Sequence, residues 1–189
     1  MSRITLEEMR RKSLALIEEY DPESELLTSD PDIAQKHNDV INYILYELAR
    51  IKKIPRYVAL PVTAGQLVTF EDLKNADGKE VYQVSRIMGV PYEPKANGTI
   101  FKMLATGLAE IDYFIYPERI TSDTPPEHIL ELSDDALEIA PYGIAADLLK
   151  SDVSTEYGSV YGTRYESMLQ RLDPRNQISN IYVDGGVMI

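Results

Sequence analysis

The chain contains no cysteine and no tryptophan, and only three phenylalanines and two histidines. Without cysteine there is no disulfide scaffold, thiolate zinc site, iron–sulfur cluster or cysteine nucleophile. Basic side chains are scarce as well: 19 Lys and Arg stand against 31 Asp and Glu, a formal charge of −12. A chain this acidic does not simply wrap nucleic acid, because phosphate binding needs clustered cations. No run approaches the ~20 apolar residues of a membrane span, and residues 1–13 hold no apolar signal-peptide core. The expectation is a soluble protein made in the cytoplasm, without membrane contact. A length of 189 residues, 44% hydrophobic and 26% charged, suits one globular domain or one domain carrying an insertion. The one excess is tyrosine, with 13 residues. Its large ring and polar tip suit half-buried positions and protein–protein contacts alike.

Helical patterning marks both ends. Thr5 and Glu8 form a capping-box pattern at the head of a helix expected over 5–20, with Leu6, Met9, Ser13, Leu16 and Ile17 on one stripe. An acidic link, 21–25, breaks it. Asp30-Pro31 opens a second helix, the best patterned of the chain, with Ile33, His37, Val40, Ile41, Ile44, Leu48 and Ile51 at steps of three and four. Pro55 predicts its end near Lys53. Later, Ser133 is placed to cap a helix that begins Asp134-Asp135-Ala136, and Pro141 is expected to kink or split it. A last helix is predicted over 155–172, stopped by Asp173-Pro174.

Between the helical halves the period changes to two. Five strands are predicted at 57–60, 67–70, 80–84, 99–104 and 110–116, punctuated by Gly65, Asp77-Gly78, Gly89, Asn97-Gly98 and Gly107. Asp112 is expected on the wet face of the last strand, and Asn75-Ala76-Asp77-Gly78 reads as a hairpin turn. The expected fold is therefore α+β. It is a bundle of about four helices in two halves, 1–54 and 118–175, with a small antiparallel β-sandwich or barrel inserted at 55–117. An extended C-terminal arm, 176–189, closes the chain. Its Ile178, Ile181, Tyr182, Val183, Gly185, Gly186, Val187, Met188 and Ile189 are apolar, β-prone and glycine-hinged. Such a segment offers an unpaired strand, either to its own β-domain or, the favoured reading, to a partner.

No catalytic constellation emerges. HExxH, GxSxG, GxGxxG and P-loop spacings are missing, so no cofactor is expected and an enzyme is disfavoured. His37 falls on an apolar helical stripe as a core or interface residue, and His128 has no second histidine nearby. Asp134, Asp135 and Glu138 lie within one helical turn, where a divalent metal is conceivable but helix capping is the simpler role. One basic run, Arg50, Lys52, Lys53 and Arg56, ends the second helix. It is a candidate contact to DNA phosphate or to a partner, although cations are favoured at a helix C-terminus in any case.

Three stretches carry a family resemblance: 32–42 leading into 47–55; 109–121 followed by 130–137; and 141–152 with the closing Asp184-Gly185-Gly186. Together they resemble the head–tail connector (adaptor, or head-completion) proteins of tailed bacteriophages and prophages. The resemblance implies a virion structural protein without enzymatic activity. It would form a homo-oligomeric ring, typically of twelve copies, at the neck beneath the portal vertex, through which genomic DNA passes without sequence-specific binding. The C-terminal arm would reach the portal protein, and another surface the next neck or stopper protein. Acidity suits a channel lining that DNA must pass without adhering. The alternatives are a neck stopper or tail-completion protein that binds tail components, and, from another class, a metal-dependent hydrolase built on Asp134, Asp135 and Glu138.

Overall fold

A computed structural model describes residues 4–24, 27–151 and 156–172. The C-terminal arm proposed from sequence lies outside the described residues. The fold is mixed α+β, with five α-helices and two open three-stranded antiparallel sheets among the described residues.

Helix α1 (Leu6–Leu16) starts where Thr5 accepts a hydrogen bond from the Glu8 amide at 3.2 Å. It ends before Tyr20 because Glu18 turns into the left-handed region (φ 62°), with the Glu18 and Glu19 amides closing back on the carbonyls of Ala15 and Leu14. Helix α2 (Pro31–Ile51) begins as its sequence indicates: Asp30 accepts from the Asp32 and Ile33 amides at 2.8 and 3.3 Å, with Pro31 in the first turn. Helix α4 (Asp134–Leu148) packs against α1, α2 and α5 (Tyr157–Leu172). The split expected at Pro141 does not occur, and the helix runs through it. Pro141 itself is buried, and packing on three neighbours holds the helix where local propensity would break it. Nor does the Ser133 side chain cap α4; Asp135 Oδ1 instead accepts from the Ala136 amide at 3.0 Å. Leu6, Met9, Ile41, Leu45, Leu48, Leu137 and Ile144 form the helical core, closed by Ile120 and Leu130 from the long connection before α4.

The β region has its own core. Strands β1 (Ile54–Val62), β3 (Val81–Met88) and β6 (Gly107–Ile115) form one sheet with β6 in the middle. On β6, Ala109, Ile111, Tyr113 and Ile115 point inward, and Asp112 takes the other face as its alternation requires. Strands β2 (Leu67–Thr69), β5 (Ile100–Met103) and β4 (Tyr92–Lys95) form the second sheet. Among the described residues there are six strands, not five, and neither sheet closes into a barrel. The expected strand 67–70 is cut short at Thr69, which opens helix α3 (Phe70–Asp77) through a capping box with Asp72. Asn75–Gly78 is therefore not a hairpin turn. It is the end of α3, and Gly78 supplies the left-handed residue (φ 72°) that terminates the helix.

Candidate partner-binding surfaces

The helical and β regions meet along a seam, and the four cations singled out from sequence lie on it. Arg50, in the last turn of α2, donates from Nε and Nη2 to the Tyr116 hydroxyl at 3.0 and 2.7 Å. Its guanidinium also sits 5.6 Å from the Tyr116 ring centre. Lys52 pairs with Asp135 at 2.6 Å, and Lys53 lies over the Phe114 ring at 4.6 Å. Arg56 stands 3.5 Å from Asp77 and 3.7 Å from Glu131. Partial burial pulls the Asp135 carboxyl upward, but hydrogen bonds from Lys52 and Ser133 outweigh it and hold its pKa below the usual range. Tyr46 stacks on Tyr116 at 4.6 Å, and Tyr82 packs against the same ring at 4.7 Å. The Tyr82 hydroxyl donates to the Ala49 carbonyl at 2.7 Å, and burial pushes its pKa up to about 12. This array of rings and cations can rigidly couple two cores. Arg50 and Lys53 remain exposed along it.

A cleft of about 410 Å³ opens between the end of α1, the start of α2, the end of α4 and the start of α5. Leu16, Ile17, Ile33 and Tyr161 line it with apolar surface, and Glu18, Glu19, Asp30 and Asp32, with Lys36 as its one cation, with mainly acidic surface. Its walls are tied together by the Tyr161 hydroxyl, which donates to the Leu16 carbonyl. Beside it, α5 turns Tyr165 inward, whose hydroxyl donates to Glu47 at 2.7 Å. Burial, then that carboxylate, raises the Tyr165 pKa. Another side of α5 presents Ser159, the exposed Val160, Thr163, Arg164, Ser167 and Arg171 in a shallow groove, with Met168 reaching from it onto the helical core.

His37 is buried on α2, with its Nε2 2.9 Å from the Ser13 hydroxyl. Burial, assisted by the nearby Arg10 cation, lowers its pKa to about 4. His128 lies apart, in the connection before α4, and its amide bonds to the Pro125 carbonyl. Asp134, Asp135 and Glu138 occupy the first turns of α4, and among the described residues no group of three or more metal-ligating side chains is assembled. Also among the described residues, no helix is long and apolar enough to cross a membrane. No family model matches the chain, and no curated protein matches it in sequence.

Proposed function

We propose that the protein is a head–tail adaptor: a virion structural subunit that forms a ring beneath a phage portal and joins capsid to tail. In this reading α1, α2, α4 and α5 make the adaptor's helical bundle, and the region from β1 to β6 is its inserted β-domain. The observation that carries the reading is the surface of α5, buried on one side through Tyr165 and open on another through Val160. A ring subunit needs two unlike patches, one for each neighbour. The outer groove of α5 and the acid-rimmed cleft beside α1 supply such a pair. In the sequence the helix is followed by Ile178, Ile181, Tyr182 and Val183, whose character suits strand addition to the portal.

Deleting residues 178–189 tests the arm. The truncated protein should unfold as cooperatively as the full chain yet fail to bind purified portal rings. Retained portal binding by the truncated chain would overturn the role given to the arm.

A further inference from the structure

In a closed ring of identical copies, each contact joins one patch of a chain to the unlike patch of the next, so the two patches must fit each other. That requirement rests on the adaptor reading, and the cleft and the groove of α5 meet it chemically. Residues 18–32 hold seven carboxylates and no Lys or Arg. Four of them, Glu18, Glu19, Asp30 and Asp32, line the cleft against a single cation, Lys36. Among the described residues none of the four is held in an ion pair, whereas Asp77, Glu118, Glu131 and Asp135 are. The cleft is thus short of positive charge, and its carboxylates only accept hydrogen bonds.

The groove of α5 is the counterpart. Arg164 and Arg171, both exposed, line it with the hydroxyls of Thr163 and Ser167, and no carboxylate belongs to its lining, Glu166 standing to one side. The Arg164 guanidinium lies 4.3 Å from the Tyr142 ring centre, a contact that steadies it and keeps its charge. Guanidiniums only donate hydrogen bonds, the complement of the cleft carboxylates, and they match carboxylate geometry. Apolar surface matches as well: Val160 is 57% exposed in the groove, and Leu16, Ile17 and Ile33 line the cleft. Tyr157 and Tyr161 of α5 belong to the cleft while Val160, Arg164 and Arg171 belong to the groove. One helix therefore carries the two patches on different sides, and a copy can engage both neighbours at once.

We propose that the cleft of one copy takes the arginine-bearing groove of α5 from the next, head to tail. Arg164 and Arg171 enter among the cleft carboxylates, and Val160 meets the apolar lining. At a net charge of −12 free copies repel one another at long range. The contact therefore forms where the portal gathers the copies, and local charge pairing fixes their orientation more than their affinity.

Charge reversal on portal rings tests this. Glu18→Lys with Asp32→Lys reverses the cleft, and Arg164→Glu with Arg171→Glu reverses the groove; all four positions are exposed. Each double variant alone should fill portals about tenfold less well than the parent, the cost of like charges at one contact. An equimolar mixture should fill them again, because each reversed cleft then meets a reversed groove and each native cleft a native groove. The cleft variant separates local pairing from general repulsion. Each of its two reversals adds two charge units, taking the chain from −12 to −8, so repulsion alone would make it assemble better than the parent. Native mass of the portal complexes reads the outcome, and urea unfolding of each variant checks its fold. Either variant filling portals like the parent, or a mixture that does no better than its components, would overturn the head-to-tail contact and leave the adaptor reading standing. A parent chain that leaves the portal bare would overturn both.

Discussion

The helical and β regions solve the same problem, fixing one arrangement of packed elements, in different ways. A helix satisfies its backbone internally, so nothing in its hydrogen bonding specifies how it meets a neighbour. The helical region supplies that information with buried polar side chains. Asn42 on α2 clamps residue 120, donating to its carbonyl at 2.8 Å and accepting from its amide at 2.7 Å. Ser13 on α1 meets His37 on α2, and Tyr161 and Tyr165 tie α5 to α1 and α2. In the β region the ladder itself sets the register, from Ile54 opposite Ile115 to Val62 opposite Gly107. Its core cluster is correspondingly apolar, with Tyr113 as its one buried hydroxyl-bearing side chain. Specificity lies in side chains in one half and in backbone in the other.

The sharpest way to break that contrast is to compare two glycines. Gly89→Ala drives a Cβ into backbone that cannot yield and imposes a positive φ on alanine. The expected loss is about 3–5 kcal/mol, from strain and overpacking together. The nearest atoms to a Cβ added by Gly143→Ala belong to side chains, the Tyr165 ring and Ile44 Cδ1, at 2.9–3.0 Å. Those side chains can shift, so the loss should be about 1–2 kcal/mol. Urea unfolding of both variants checks the order, and equal losses would remove the distinction.

His37 sharpens the helical side. Its pKa is depressed from 6.5 to about 4 in the folded protein, so the fold favours the neutral ring. Its contribution is fully present above pH 6.5 and is lost as the pH falls through 4. The change amounts to about 3 kcal/mol at 1.36 kcal/mol per pKa unit. Carboxylates titrate in the same range, so the measurement is the difference between the parent and His37→Gln, which should shrink from pH 7 to pH 4. A constant difference would contradict the assignment. The smallest effects compare caps. Thr69→Ala removes the α3 capping box and should cost about 1 kcal/mol, whereas Ser133→Ala, where no cap bond exists, should cost a few tenths. Thermal melts of the two variants give the comparison.

Where the signal was local, the sequence was a sound guide. Thr5 marks the start of α1, and Asp30-Pro31 with the stripe from Ile33 to Ile51 defines α2 almost to the residue, because caps and period act within a few positions; the early stop of α1 at Leu16 had no such signal. Helix α3 was hidden because Leu67, Val68, Thr69 and Phe70 are all strand formers, and that composition masked the Thr69–Asp72 capping box. Strand β4, exposed throughout and containing Pro94, has no hydrophobic alternation to announce it; pairing with β5 alone makes it a strand. The split that Pro141 suggested is absent, since the packing that holds the helix together there involves residues distant in sequence. The same distance hid the seam. The run from Arg50 to Arg56 was visible, but its partners Tyr116, Asp135, Phe114 and Glu131 come from later in the chain. The surplus tyrosine divides accordingly, with Tyr46, Tyr82 and Tyr116 spent on that seam and Tyr43, Tyr57 and Tyr157 facing solvent.

The most direct test of the adaptor reading is the native mass of the purified chain, alone and mixed with portal rings from a tailed phage or prophage that encodes it. The account predicts a stable complex holding a closed ring of copies on each portal, about twelve as the resemblance to phage adaptors implies. A chain that leaves the portal bare at every ratio would contradict it.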